Sequence, residues 1–164
     1  MGQGASTVLA QIAAQAIGIP VESVRIMPLD TDSSPFCFGS YSSRVTTVAG
    51  KAAKQAAIEV KMQLIEVAAD VLQVPGEDLQ IQGGRIFCPS HSEKGLTVAE
   101  ACRLAIRTQK TVPLTAYVAY DPPTTGADEN FYGDYSSAYT YAAQAVELEV
   151  DTETGQVTLL RVAC

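Results

Sequence analysis

Apolar residues recur at helical spacing in two long stretches of the chain. Over residues 5–17 they fall on one face of a helical pattern, which Gly18 and Pro20 end. A longer, alanine-rich run of the same kind covers residues 45–72. The pattern therefore predicts a short amphipathic helix and a long, closely packed one.

Alternating apolar and polar residues predict strands in other parts of the chain. β-Branched residues ahead of Pro28 predict a strand over residues 24–27, and alternation predicts another over residues 112–120. Residues 79–87 alternate about the Gly83-Gly84 pair, which predicts a small hairpin at the periphery of the fold.

Two further local signals complete the predicted fold. Thr97 and Glu100 form a capping-box pattern that opens a short helix. Residues 146–150 alternate, and a turn at residues 151–155 returns the chain into its last strand, which predicts an antiparallel hairpin. Together the elements predict an α/β (α+β) fold with helices packed on a mixed sheet.

Two polar stretches, residues 28–43 and 122–141, separate these elements and are predicted to be loops. The second is rich in Gly, Tyr and Asp, and loops of that length are commonly functional or covered by another chain.

The acidic charge balance restricts the partners of the protein. The formal net charge is −7, from 11 Lys and Arg against 18 Asp and Glu, and no basic run interrupts the acidic average. A nucleic-acid or membrane-surface partner is therefore not expected. The four scattered cysteines favour reduced thiols in a cytoplasmic protein over a disulfide, zinc or iron-sulfur framework.

Both ends of the sequence are abrupt. A Gly-Gln-Gly turn and a helix follow Met1 at once, and residues 156–164 read as an apolar strand that stops without a turn or a polar tail. We expect residues 1–164 to be a partial domain, truncated at both ends. A complete small protein whose terminal strand happens to be last is the alternative.

The turn Gly2-Gln3-Gly4 is the first candidate site. It leads directly into a helix, so free amide donors and the positive end of the helix dipole lie beside a side-chain amide that both donates and accepts. Such a site suits an anion or a polar heterocycle. The same tripeptide is also compatible with a plain turn.

The loop from Gly39 to Arg44 is the second candidate. The hydroxyls of Ser40, Tyr41, Ser42 and Ser43 can satisfy phosphate oxygens, and Arg44 can add a charge-assisted contact. An ordinary helix N-cap by Ser42 or Ser43 explains the loop equally well. The spacing is not that of a P-loop, because the terminal lysine is missing.

Acid-base groups are scarce in this sequence. His91 is the sole histidine and lies in a polar turn, where we expect it to be exposed and inert. No cysteine has a visible activator. Asp30 and Asp32 are expected to form a turn rather than to bind a cation. The tyrosines of the long loop could line an interface or a pocket, or simply pack half-buried; they are Tyr132, Tyr135, Tyr139 and Tyr141.

In this order, the motifs resemble the molybdenum-binding large subunit of the xanthine dehydrogenase and aldehyde oxidase family. The matching segments span nearly the whole chain: Met1 to Gly4 with Thr7 and Gln11, Gly18 to Pro20 with Val24 and Arg25, Asp30 to Asp32 with Pro35, Gly39 to Arg44 with Gly50, and residues 146–155. Within the family, the wording Ser-Tyr-Ser-Ser-Arg-Val-Thr at residues 40–46 is most similar to the large (alpha) subunit of 4-hydroxybenzoyl-CoA reductase.

The resemblance implies a cofactor, molybdopterin or molybdopterin cytosine dinucleotide, and roles for the two candidate segments. Gly2 and Gln3 would reach the pterin and the molybdenum oxo face, with the Gln3 amide as an outer-shell donor. The second segment would hold the pterin or the dinucleotide's phosphates through Tyr41, Ser42, Ser43 and Arg44. Dithiolene sulfurs of the cofactor would hold the metal, so the protein need offer no ligand to it.

The resemblance also implies an activity and partners. Members of the family hydroxylate heterocycles or aldehydes, or in the reductase branch remove a phenolic hydroxyl, and they exchange electrons with iron-sulfur and FAD subunits. The family's active-site glutamate lies outside this segment, so we expect the isolated chain to be inactive. The alternative is a non-catalytic domain that docks the subunits of a complex.

Overall fold

The computed structural model describes residues 2–107 and 113–164. The chain forms two compact units, Met1–Pro123 and Thr124–Cys164. Among the described residues, no helix is both long and apolar enough to cross a membrane.

The two predicted helices of the first unit are confirmed. Helix α1 covers Ala5–Ile17 and ends at Gly18, whose left-handed backbone (φ 98°) lets its N–H donate to the carbonyl of Ala14 at 2.9 Å. Helix α2 covers Gly50–Leu72, and a single π-helical turn, Val45–Ala49, precedes it. The π turn was not predicted, since the apolar spacing fits an ordinary helical start as well.

The hairpin about Gly83 and Gly84 is confirmed, and it belongs to a three-stranded antiparallel sheet. Strand β1 (Gln80–Gln82) pairs with β2 (Arg85–Cys88), which pairs with β3 (His91–Thr97). The third strand was missed, because its first four residues are polar and show no alternation. The predicted polar turn around His91 is thus the start of a strand.

The peripheral position predicted for this hairpin is wrong. Ile86 on β2 has no exposed surface, and it lies in the same core cluster as Leu64 of α2. The cluster is completed by the buried residues Val67, Ala68, Leu79, Ile81, Cys88, Leu96, Ala101 and Ala105. The sheet therefore forms one wall of the core, and α2 forms another.

The capping box is confirmed at atomic detail. Helix α3 covers Val98–Arg107, and a carboxylate oxygen of Glu100 accepts hydrogen bonds from the Thr97 backbone N–H at 2.7 Å and its hydroxyl at 2.8 Å. The Glu100 N–H donates back to the Thr97 hydroxyl at 3.2 Å. Two amide donors at the helix start are thereby satisfied.

Two predicted strands do not form. Residues 24–27 are irregular, after a short 3₁₀ turn at Val21–Ser23. Residues 113–120 are also irregular, although half-buried and exposed residues alternate along them as the sequence predicted; Val112, the first residue of that prediction, lies outside the described residues. Alternation sets which side chains face inward, but a strand also needs a neighbour for its backbone, and these segments pair with none of the described strands.

The second unit contains the predicted C-terminal hairpin. Strands β4 (Ala145–Val150) and β5 (Val157–Ala163) pair antiparallel, with an irregularity between Glu147 and Leu148. Asp151 holds the turn, since its Oδ1 accepts the N–H groups of Glu153 at 2.8 Å and Thr154 at 3.2 Å. These backbone hydrogen bonds lower the pKa of Asp151.

The predicted α/β class, with helices packed on a sheet, is confirmed. In place of the mixed sheet that was expected, every pairing among the described strands is antiparallel. The predicted long loop ahead of β4 contains no regular element.

Candidate functional site

The two candidate segments of the sequence meet in one open cleft of about 400 Å³. Gln3 contributes from the turn before α1, and Tyr41, Ser43 and Arg44 contribute from the loop before α2. The remaining lining residues are Ala5, Val8, Ser40, Val45 and Thr46. The cleft thus combines a side-chain amide, hydroxyl groups and one guanidinium.

Gly2, Gly4 and Ser42 are predicted site residues that do not line the cleft. They flank its lining residues, and all three have left-handed backbones, with φ of 77°, 76° and 50°. No side chain caps α1, so the first amide groups of that helix keep their donors. Gly2 and Gly4 therefore shape the turn that presents Gln3 and these amides.

The serine loop has an unusual backbone. Ser42 and Ser43 are consecutive left-handed residues, with φ of 50° and 54°, and the Arg44 N–H donates to the Tyr41 carbonyl at 3.1 Å across them. This conformation costs a residue with a side chain about 1–2 kcal/mol. Strain of this kind, followed by a π turn, is typical of ligand-binding sites.

The plain N-cap interpretation of this loop is not supported. The π turn Val45–Ala49 begins after Arg44 without any side-chain cap, and α2 likewise has none. Neither Ser42 nor Ser43 satisfies the helix amides, so their hydroxyls have no structural task at the helix start.

Arg44 is held against its own loop. Its Nη1 donates to the carbonyl of Gly39 at 3.0 Å and lies 3.6 Å from the sulfur of Cys37. The guanidinium carbon lies 5.8 Å from the ring centre of Phe38 and 5.7 Å from that of Tyr41, within cation–π range. The charge is thereby fixed at the edge of the cleft.

No activating histidine was identified for any cysteine in the sequence, and the structure places an arginine beside Cys37. Its sulfur accepts the Gly39 N–H at 3.5 Å and faces the Arg44 guanidinium. The backbone hydrogen bond from Gly39 and then the contact with Arg44 lower the pKa of this exposed thiol. Arg44, from the same loop, supplies the positive charge beside this thiol.

The remaining candidates lie away from the cleft lining. His91 is exposed and its Nδ1 lies 3.2 Å from the Ser90 hydroxyl. Asp30 forms the predicted turn, because its Oδ1 accepts the Asp32 N–H at 2.9 Å. The part of the chain that the structure describes holds no cluster of three His, Cys, Asp or Glu residues suited to a metal ion.

The tyrosines of the long loop belong to the second unit, and all four are exposed. Tyr135 donates its hydroxyl to the Phe131 carbonyl at 2.6 Å, and Tyr139 donates to Asp134 Oδ1 at 3.0 Å. The bond to Asp134 raises the pKa of Tyr139. These two hydroxyls therefore form hydrogen bonds within their own loop.

Sequence residues that line the cleft were partly missed. Ser40 was named as a possible phosphate contact but not among the residues that hold the cofactor, and Ala5, Val8, Val45 and Thr46 were assigned to helices with no further role. Each of these residues lies within a few positions of a polar candidate. Only the packing of α1 against α2 shows which faces of the helices line the cleft.

Comparison with known proteins defines the class. The family described as "Molybdopterin cofactor-binding domain" matches residues 1–164. The gamma subunit of the 6-hydroxypseudooxynicotine dehydrogenase complex of Paenarthrobacter nicotinovorans is 34% identical over 98% of this chain and 19% of its own length. The carbon monoxide dehydrogenase large chain of Afipia carboxidovorans is 30% identical over 94% of this chain and 18% of its own.

A solved structure agrees with the sequence relatives. Quinoline 2-oxidoreductase from Pseudomonas putida superposes with a TM-score of 0.71 and 28% identity, over 98% of this chain and 20% of that protein's chain. The family match and the fold thus define a molybdopterin cofactor-binding domain. This chain belongs to the molybdopterin cofactor-binding domain family. It spans about a fifth of the length of the relatives it matches.

Proposed function

We propose that the cleft between the start of α1 and the loop before α2 holds the phosphorylated pterin of a molybdenum cofactor. We also propose that residues 1–164 are part of a larger oxidoreductase subunit. One observation carries the proposal: Gln3 and Ser43, from distant points of the sequence, line the same cleft. The family match and the relatives' greater length support it.

The residues of the cleft fit such a group. A volume of about 400 Å³ lies in the ordinary range of small-molecule sites. Arg44 and the uncapped amides at the start of α1 offer donors for phosphate, and the Gln3 amide can pair with a polar heterocycle or an oxo group. Apolar surface from Val8 and Val45 completes the lining.

Individual roles follow from this fit. Gly2 and Gly4 form the turn that lets Gln3 face the pterin and the molybdenum oxo group as an outer-shell donor. The second segment holds the pterin or its phosphates through Tyr41, Ser42, Ser43 and Arg44. The metal itself would be held by the cofactor's dithiolene sulfurs, so the protein need contribute no direct ligand.

The proposed activity is that of a molybdenum hydroxylase. When bound, the cofactor supplies two-electron chemistry: hydroxylation of a heterocycle or aldehyde, or reductive dehydroxylation of a hydroxybenzoyl-CoA. The wording of residues 40–46 favours the second, through its similarity to 4-hydroxybenzoyl-CoA reductase. The cofactor is then molybdopterin or its cytosine dinucleotide form, with iron-sulfur and FAD groups on partner subunits. We place the protein in the cytoplasm, in keeping with its four free cysteines.

The experiment is a cofactor assay on the full-length subunit in its complex. Gln3→Ala is compared with the wild type and with Gln55→Ala, a control on the exposed side of α2. Molybdenum and pterin fluorescence are measured per subunit, together with thermal unfolding. We expect Gln3→Ala to lose most of its cofactor or its turnover with an unchanged unfolding temperature. Normal molybdenum content together with normal turnover in Gln3→Ala would contradict the proposal.

A second candidate is a non-catalytic domain that docks other subunits. The second unit favours it, because apolar residues on both strands of its hairpin are about half exposed, among them Leu148, Leu159 and Leu160. Cofactor content separates the two functions: a docking domain predicts a wild-type complex whose cleft at Gln3 and Ser43 holds no pterin, and a Gln3→Ala variant with unchanged molybdenum and pterin content.

A further inference from the structure

Cys37 is not among the residues that line the cleft, yet it contacts Arg44, the charged residue among the described lining residues. Its sulfur is 3.6 Å from Nη1 of Arg44 and 3.5 Å from the backbone nitrogen of Gly39. Gly39 can take this position because its backbone is left-handed, with φ of 97°. Cys37, Gly39 and Arg44 thus form a closed triangle of contacts.

The geometry divides the donors of Arg44 into two groups. Nη1 is occupied by the Gly39 carbonyl at 3.0 Å and by the Cys37 sulfur. A guanidinium has five N–H donors in a rigid fork, and Nε and Nη2 donate to no partner among the residues that the structure describes. Arg44 lines the cleft, where these donors suit a bidentate contact with phosphate.

The two aromatic rings near the guanidinium do not fix its rotation. Phe38 and Tyr41 lie at cation–π distance, an attraction that depends weakly on which N–H points where. The two contacts to Nη1 are directional. They therefore determine which edge of the fork faces the cleft.

We propose that Cys37 is a positioning residue for Arg44: its sulfur anchors Nη1, so that the free edge of the guanidinium is held ready for a phosphate group of the cleft ligand. This inference rests on the proposed function, because it assumes that a phosphorylated ligand occupies the cleft. Because Cys37 does not line the cleft, it can act on the ligand only through its contact with Arg44.

Because of the same contact, the reactivity of the Cys37 thiol shows whether the Arg44 guanidinium lies beside it. The Gly39 N–H and the guanidinium both favour the negatively charged sulfur, which is the form that reacts with alkylating agents. Removing the guanidinium lowers the reactivity of Cys37. Attaching a bulky group to the sulfur displaces Nη1 and weakens the hold on the ligand.

The first measurement is the alkylation rate of Cys37 by iodoacetamide at neutral pH, followed by peptide mass spectrometry in the full-length subunit freed of cofactor. We expect Arg44→Gln to slow it by about three- to tenfold. Arg103→Gln, which removes a guanidinium of α3 that makes no contact with Cys37 among the described residues, leaves it unchanged. An unchanged rate in Arg44→Gln overturns the proposal.

The second measurement is cofactor retention in substituted subunits. Cys37→Val keeps the size of the side chain and removes the acceptor, whereas Cys37→Ser keeps an acceptor. We expect Cys37→Val to lose several-fold more pterin than Cys37→Ser during dialysis, with unfolding temperatures that agree. Equal retention in the two variants overturns the inference about Cys37. A wild-type subunit with no pterin in this cleft overturns the proposed function instead, so the two failures can be told apart.

Discussion

Gln3 and Ser43 line the same cleft, although one precedes α1 and the other precedes α2. The two helices bring them together by packing closely: a Cβ added at Gly50, the first residue of α2, would lie 2.8 Å from the Ile12 Cδ1 of α1. The position of the site therefore depends on a helix pair whose starts are both free of side-chain caps. The following predictions test this arrangement and the fold that supports it.

The serine loop can be tested by separating its backbone shape from its hydroxyl. Ser43→Gly removes the hydroxyl and fits the left-handed backbone (φ 54°), whereas Ser43→Val removes the hydroxyl and places there a β-branched residue, which tolerates that backbone less well than serine does. We expect both variants to retain less cofactor and only Ser43→Val to unfold at a lower temperature. Thermal unfolding and pterin content measure the two effects. Full cofactor retention in Ser43→Gly would show that the hydroxyl contributes no contact.

Gly18 supports the contact between α1 and the sheet. A Cβ at this position would overlap the carbonyl oxygen of Ile81, and the left-handed backbone (φ 98°) disfavours any side chain. We expect Gly18→Ala to lower the free energy of unfolding by about 3 kcal/mol. Gly83→Ala is the matched control, since Gly83 is left-handed (φ 58°) with open space around it. We expect Gly83→Ala to lower the free energy of unfolding by about 1 kcal/mol. Urea unfolding measures both free energies. Equal losses in Gly18→Ala and Gly83→Ala would refute the close approach of Gly18 to the Ile81 carbonyl.

Ile86 tests the position of the hairpin in the core. It has no exposed surface, so we expect Ile86→Ala to lower the free energy of unfolding by about 3 kcal/mol. Ile106, on α3, is 69% exposed, and Ile106→Ala should change that free energy by no more than about 0.5 kcal/mol. A peripheral hairpin would instead give small, similar losses in both variants.

Glu100 gives a pH dependence to the start of α3. The Thr97 N–H and then the Thr97 hydroxyl lower its pKa below the usual 4.5, so the ionised carboxylate favours the folded state. Its contribution is fully present above about pH 4.5 and is lost as the pH falls through the folded-state pKa. We expect Glu100→Gln to lower the unfolding temperature at pH 7 and to match the wild type in strong acid. A constant difference across this range would contradict the capping interaction.

Local signals in the sequence were sufficient for elements that need no distant partner. The glycine that ends α1, the long alanine-rich run and the Thr97–Glu100 box each act within a few residues, and all three were predicted. The hairpin turn at Gly83 and Gly84 was also predicted, for the same reason.

Elements that depend on a neighbour could not be predicted in the same way. Residues 113–120 show the alternation of a strand, and their burial alternates too, but no described strand lies beside them. Strand β3 shows the reverse: it begins with polar residues, and its pairing with Ile86 and its neighbours makes it a strand. The packing of the chain decides both cases.

The residues alone predicted the candidate site as two segments, and only the family resemblance predicted that the two segments meet on one cofactor. Gly2 to Gly4 and Gly39 to Arg44 can be recognised from glycines, hydroxyls and charge along the sequence. The contribution of Val8 and Thr46 depends on how α1 meets the π turn, and the contact of Cys37 with Arg44 depends on the fold of the loop itself.

A structure of the cofactor-loaded, full-length subunit in its complex tests the central claim most directly. We expect density for the pterin and its phosphate in the cleft, within hydrogen-bond distance of the Gln3 amide and the Ser43 hydroxyl. A cofactor bound elsewhere in the subunit, with these two side chains facing solvent or protein alone, would contradict it.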